Sequence, residues 1–221
     1  MEDLTDNERE EQLRRWWGEN WFWIVGGIVL GLGLLAGWQY WQRMRTAAAE
    51  RDAGDYVAVV EALGRNDRDQ AIALAEALRK RHPESAYSNQ AELVLARAAI
   101  DRREFDDAAG RLRRVADGSR DPELRLVAKT RLARVLLEQG KPDEALGLLD
   151  PAGAGAFAPR FREIRGDAFA AKGDAAAARA EYDAVLAADG TQLGIDREFV
   201  ELKRADLPAG SPAPSAGVAD K

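Results

Sequence analysis

The 221-residue chain contains no cysteine, which excludes disulfides and thiolate metal sites and fits a reducing or an oxidising compartment equally. It has one histidine, His82, set beside Pro83 at the end of a helical stretch. A zinc site, a Cys–His pair or a Ser–His pair therefore lacks its raw material. No Gly-x-Ser-x-Gly and no Walker sequence occurs. Strand-like alternation is absent as well, and tryptophan is absent from everything beyond residue 41. Nor is there an excess of positive charge: 32 Lys and Arg stand against 38 Asp and Glu, a net charge of −6. That balance argues against nucleic acid as the main partner. The basic clusters Arg79-Lys80-Arg81 and Arg111/Arg113/Arg114 sit among acidic neighbours and read as solvated helix faces. No catalytic residue, cofactor site or metal site emerges, and the chain reads as a non-enzyme.

What is present begins with "WFWIVGGIVLGLGLLAGWQYW", residues 21–41, a run without a charge. As a helix it is roughly 31 Å long, the thickness of a bilayer's hydrocarbon core. All six tryptophans lie from Trp16 to Trp41, in two groups at the ends of the run, as amphipathic rings do at the two membrane interfaces. Ala47-Ala48-Ala49 has the look of a signal-peptide cleavage site. The run is longer than a signal peptide's apolar region, however, and the segment before it carries seven acidic residues against three arginines. A retained membrane anchor follows. Arg9, Arg14 and Arg15 precede the run and Arg43, Arg45 and Arg51 follow it, so the positive-inside rule leaves the orientation open.

From Thr46 onward the composition turns to Ala, Leu, Arg, Glu and Asp, mostly helix formers. The segments "AIALAEALRKRHP", "AAGRLRRVADG", "ALGLLDPAG" and "ARAEYDAVLAADG" each begin on an alanine: Ala71, Ala108, Ala145 and Ala178. Their spacings of 37, 37 and 33 residues bracket the 34-residue tetratricopeptide period. Twelve residues before the last three alanines stand Ala96, Ala133 and Gly166, small enough for two helices to approach closely. Ala99, Leu136 and Phe169 pack the first helix, and Ala75, Leu112, Leu149 and Tyr182 the second. Gly140 and Gly173 suit left-handed C-caps, and Asp143 and Asp174 suit the following N-caps.

The predicted architecture is all-α: an acidic segment (1–20), a transmembrane helix (21–41), a tetratricopeptide-like α-solenoid (42–207) and a disordered tail (208–221) rich in Pro, Ala, Gly and Ser. Residues 191–207, with Leu193, Ile195, Phe199, Leu202 and Leu207, are expected to form a capping helix. Arg165-Gly166-Asp167 has the look of an adhesion tripeptide, but Gly166 is the packing position of the fourth repeat.

Two surfaces are candidates for binding. In tetratricopeptide domains the first helix of each repeat lines the concave face, which here places Leu93, Arg97, Ile100, Val127, Arg134 and Leu137 in a groove. Arg97 and Arg134 are expected to stand in a row with Asp167. Apolar side chains between guanidinium groups suit an extended or partly folded chain. In the anchor, Gly27-x-x-x-Gly31 and Gly33-x-x-x-Gly37 have the small-xxx-small spacing that lets another membrane helix pack closely.

The acidic N-terminus, "GEN" before the run, "GGIVLGLGLLAGWQYW", "RLARVLLEQGKPDEAL" and "RGDAFAAKGDAAAARAEYDAVL" resemble the ancillary SecYEG translocon subunit family of proteobacteria (YfgM-like proteins). The resemblance covers nearly the whole chain except the Pro-rich tail. It implies a single-pass inner-membrane protein, N-terminus cytoplasmic and repeat domain periplasmic. It further implies partners: the SecYEG translocon, a membrane-anchored periplasmic chaperone of the prolyl-isomerase type, and exported client proteins that the protein helps pass to periplasmic chaperones. The residues themselves leave two alternatives open, a scaffold on the cytoplasmic side and a membrane-bound enzyme with an unrecognised site.

Overall fold

The computed structural model describes residues 6–188 and 195–208; Leu193 and the tail from residue 209 onward lie outside them. All its regular elements are helical: α1 (Asp6–Gly64), α2 (Arg68–Arg81), α3 (Ala86–Asp101), α4 (Phe105–Gly118), α5 (Pro122–Glu138), α6 (Pro142–Leu148), a 3-10 turn (Gly155–Phe157), α7 (Ala158–Ala171), α8 (Ala175–Ala187) and α9 (Arg197–Ala205). The chain divides into two units, Met1–Arg51 and Asp52–Lys221.

The first unit is helical and has no core. Its apolar window has a mean hydropathy of 1.8 and no buried residue, and it belongs to the one helix, among the described residues, long and apolar enough to cross a membrane. Every tryptophan in it is about half exposed or more. A helix apolar on all sides and buried against nothing is unstable in water, and a bilayer is the solvent that removes that cost.

In the second unit the predicted register is physical. Ala71, Ala108, Ala145 and Ala178 are completely buried, as are Ala96 and Ala133. The same register extends to the end of α1, where Val59 and Ala62 are completely buried. Residues 52–64 are thus the first helix of the first repeat, an assignment sequence reasoning missed because Val59 stands where other repeats carry a small residue. Pairing then runs 52–64 with α2, α3 with α4, α5 with α6, and α7 with α8. Register partners sixteen residues apart compensate in volume: Val59 with Ala75, Ala96 with Leu112, Ala133 with Leu149, and Gly166 with Tyr182. The last pair is the extreme case. A Cβ added to Gly166 would lie 2.3 Å from Cε1 of the buried Tyr182 ring.

One turn recurs between paired helices. Asn66, Arg103, Gly140 and Gly173 all have left-handed backbones, with φ of 59°, 61°, 72° and 79°. In each turn that residue's N–H bonds the carbonyl three residues back, and the next N–H bonds the carbonyl five back, for example Asp174 to Phe169 at 2.9 Å. These are Schellman caps. Asp67 and Asp174 then cap α2 and α8, accepting from the N–H groups of Gln70 and Ala177. Asp143 does not cap α6: Lys141 occupies that position, Pro142 takes the first helical place, and the Asp143 carboxylate pairs with Lys172 instead. Similar bonds link successive turns. Arg68 donates to Glu104 (2.6 Å) and Asp107 (3.2 Å), Arg102 to Asn66, and Gln139 to Asp106. The Glu104 hydrogen bond raises the pKa of Arg68 further and keeps it charged.

The C-terminal helix differs from expectation. It runs Arg197–Ala205, and the residue it buries completely is Val200, thirty-four residues after Gly166. Ile195 and Leu207 pack partly against the same cluster, but Phe199 and Leu202 are 51% and 67% exposed. Their register equivalents in the third repeat, Leu132 and Val135, are buried. The physical reason is that α9 is the first half of a fifth repeat, and among the described residues no second helix follows to cover that face.

Candidate partner-binding groove

Each first helix turns one row of side chains away from its own partner helix, and two such rows meet between α3 and α5. There a cavity of about 640 Å³ opens over an apolar floor of Leu93, Ile100, Phe105, Leu112 and Val135. Its rim carries Arg97, Arg103, Arg131 and Arg134 against Asp101 and Glu138. A second cavity of about 300 Å³ lies between α5 and the start of α7, lined by Val127, Thr130, Phe157 and Arg160. Arg131 and Arg134 line both.

The charges on this surface are unequally satisfied. Arg97 Nε donates to both Asp101 oxygens, at 2.9 and 3.2 Å, in a largely exposed pair worth about a few tenths of a kcal/mol. Arg134 lies 3.7 Å from Glu163, a buried carboxylate held more closely by Arg160 (2.6 Å) and Lys203 (3.0 Å). Among the described residues, Arg103, Arg131 and Glu138 make no ion pair or side-chain hydrogen bond. A different cluster lies outside the groove: buried Glu92 accepts from Arg111 (3.2 Å) and Arg114 (2.9 Å), joining α3 to α4. Among the described residues no three His, Cys, Asp or Glu side chains gather where they could hold a metal ion.

Comparison with known proteins completes the picture. A family model described as a tetratricopeptide repeat-like domain matches residues 14–209, so it takes in the apolar helix as well as the repeats. The "Ancillary SecYEG translocon subunit" of Escherichia coli K12 is 31% identical over 187 residues, 85% of this chain and 90% of that protein. Its namesake in Haemophilus influenzae is 26% identical over 92% of this chain and 98% of its own length, and that in Neisseria gonorrhoeae 29% over 90% and 96%. The chain belongs to the ancillary SecYEG translocon subunit family. No solved structure gives a significant match.

For this family member the groove gathers part of the predicted set. Leu93, Arg97, Ile100 and Arg134 share the larger cavity, and Val127 and Arg134 the smaller. Leu137 is partly buried against the core and lines neither. Asp167 stands apart too. It accepts from the Tyr182 hydroxyl at 2.7 Å and from Lys203 of α9 at 2.9 Å, so the row of Arg97 and Arg134 does not continue to it as a free side chain. Burial, then the Asp167 hydrogen bond, pushes the Tyr182 pKa well up. Arg103 and Arg131 were missed. Arg103 carried a signal, since an arginine stands where two other repeats place the glycine of a left-handed cap. In the anchor, Cβ atoms added at Gly27, Gly31, Gly33 and Gly37 meet nothing within 4 Å; the first two share one helix face and the last two another, about 120° round.

Proposed function

We propose that this protein is a membrane-anchored, non-enzymatic scaffold at the Sec translocon. Its apolar helix fixes it in the inner membrane with the N-terminus cytoplasmic, and its repeat domain stands in the periplasm. There the groove engages newly exported chains and helps pass them to periplasmic chaperones, including a membrane-anchored one of the prolyl-isomerase type. The observation that carries this reading is the match over 85% of the chain to a relative named as a translocon subunit, together with a family model that spans apolar helix and repeats alike. The physical logic is local concentration: anchoring a weak binder beside an exit site turns capture into a local event. The Gly27/Gly31 and Gly33/Gly37 faces each supply a place for a partner's membrane helix.

Crosslinking in intact membranes tests the reading. A photoreactive residue at Ile100 or Val127 is expected to capture exported proteins and periplasmic chaperones, and one in the anchor near Gly33 to capture a translocon subunit. Charge reversal of Arg97→Glu with Arg134→Glu should leave insertion intact and reduce the groove adducts. A C-terminal reporter active only outside the cytoplasm should be active. Adducts confined to cytoplasmic proteins, with an inactive reporter, would instead establish the scaffold on the cytoplasmic side.

A further inference from the structure

We propose that the groove between α3 and α5 selects extended polypeptide segments carrying carboxylates, with Arg131 and Arg103 as the residues that read them. This rests on the groove being the protein-binding surface. Charge is the first ground. The chain is acidic overall, at −6, yet the two cavities together carry Arg97, Arg103, Arg131, Arg134 and Arg160 against Asp101 and Glu138, with buried Glu163 paired to Arg134 and Arg160. A local positive surface on a negative protein needs an explanation beyond solubility, because the acidic residues already supply net charge. The unequal pairing is the second ground. Arg97 is engaged by Asp101, and Arg134 faces Glu163. Arg131, on the wall common to both cavities, and Arg103, at the edge of the larger, have no acceptor among the described residues. A guanidinium presents a planar fork matched to a carboxylate's two oxygens.

The third ground is the backbone. Arg103 holds a φ of +61° at a turn where Gly140 and Gly173 stand in later repeats. A non-glycine side chain pays a steric cost in that region; the two backbone bonds of the cap hold the turn, and the Arg103 side chain adds no bond of its own. Such a residue at the rim of a cavity points to a ligand that the side chain meets. The floor of Leu93, Ile100, Phe105, Leu112 and Val135 takes apolar side chains, and in an extended segment alternate side chains point to opposite faces. A segment mixing Leu or Val with Glu or Asp therefore presents both chemistries to the groove. A polyanionic backbone such as nucleic acid does not suit this groove, because the acidic remainder of the chain, −6 overall, repels it.

The experiment uses the full chain in nanodiscs and three short fluorescein-labelled peptides of alternating leucine and glutamate, leucine and glutamine, and leucine and lysine, read by anisotropy. The glutamate peptide is expected to bind at least tenfold more tightly than the other two, and to weaken as salt rises. Arg131→Gln is expected to lower its affinity by about tenfold. Arg103→Gly is the discriminating variant: it should lower affinity for the glutamate peptide while leaving the melting temperature equal or higher, which a merely structural arginine would not do. Equal binding of all three peptides, competed by photo-adduct formation at Ile100, would overturn the carboxylate preference and leave the groove as a protein-binding site. Binding of no peptide, with no adduct at Ile100 in membranes, would overturn both. Displacement of the glutamate peptide by a single-stranded oligonucleotide at matched charge would overturn the assignment in favour of nucleic acid.

Discussion

Replacing Gly166 by alanine should destabilise this protein, against the usual direction for a helix interior. Glycine within a helix is roughly 0.8–1 kcal/mol worse than alanine, so the exchange normally stabilises. Here the new methyl would lie 2.3, 2.7 and 2.9 Å from Cε1, Cδ1 and Cζ of Tyr182. The ring has nowhere to go: it is 2% exposed, and its hydroxyl is fixed on Asp167 at 2.7 Å. Overpacking of that kind costs about 1–3 kcal/mol. A clash with the rigid ring rather than a flexible chain end belongs to the upper half of the range, so the net loss is about 1–2 kcal/mol. That corresponds to a fall of roughly 3–6 °C in melting temperature for a domain of this size. The repair is written in the other repeats: Gly166→Ala with Tyr182→Leu recreates the Ala96/Leu112 and Ala133/Leu149 pairs, and the double variant should regain at least ~1 kcal/mol relative to the sum of the singles. Because every tryptophan lies in the first unit, tryptophan fluorescence is blind to this transition. Circular dichroism of the full chain in detergent is the assay. A neutral or stabilising Gly166→Ala, or simple additivity in the cycle, would refute the packing described for the fourth repeat.

Ala133→Leu should also overpack its interface, costing about 1–3 kcal/mol, whereas Lys172→Ala removes only an exposed pair with Asp143 and should stay within about 0.5 kcal/mol. Thermal melts of the two side by side check this. In the anchor, Gly33→Leu with Gly37→Leu should leave membrane insertion unchanged and weaken co-purification of the membrane partner; unchanged recovery of that partner counts against a packing role. Tyr182 sets an alkaline limit. Its pKa is raised in the folded state, so its contribution is fully present below the ordinary tyrosine value near 10 and falls as pH rises above it, because the unfolded chain then loses a proton the folded one keeps. Tyr182→Phe should flatten the loss of stability above about pH 10, read by urea unfolding across that range, and an unchanged slope would show that another group governs it.

The repeat register was legible because it rests on steric identity, which a sequence displays directly. A completely buried position facing another helix tolerates only a small side chain, so Ala108, Ala145 and Ala178 announce themselves. The first repeat was hidden where volume is exchanged rather than kept: Val59 is larger than its counterparts because Ala75 opposite is smaller than Leu112 or Leu149. The end of α9 was misjudged for a related reason. Apolarity alone nominated Phe199 and Leu202, but which face of a terminal helix is covered depends on whether a further helix follows it.

The groove was half legible, because which charges are free is not written in local sequence. Spacing alone offered Arg97 and Arg134 as equivalent residues, yet four residues on from Arg97 is Asp101, which takes it up, while Arg134 faces a carboxylate twenty-nine residues away. Asp167 looked like the next member of the same row and is instead consumed by Lys203, thirty-six residues away on the first helix of the following repeat. Arg131 escaped notice because it sits between repeat positions, yet with Arg134 it lines the wall common to both cavities. A solenoid fixes each backbone position by repetition, but long charged side chains reach across repeats and settle on whichever acceptor is nearest. The shape of the groove therefore follows from the periodic residues, while its pattern of free and paired charges follows from the aperiodic ones.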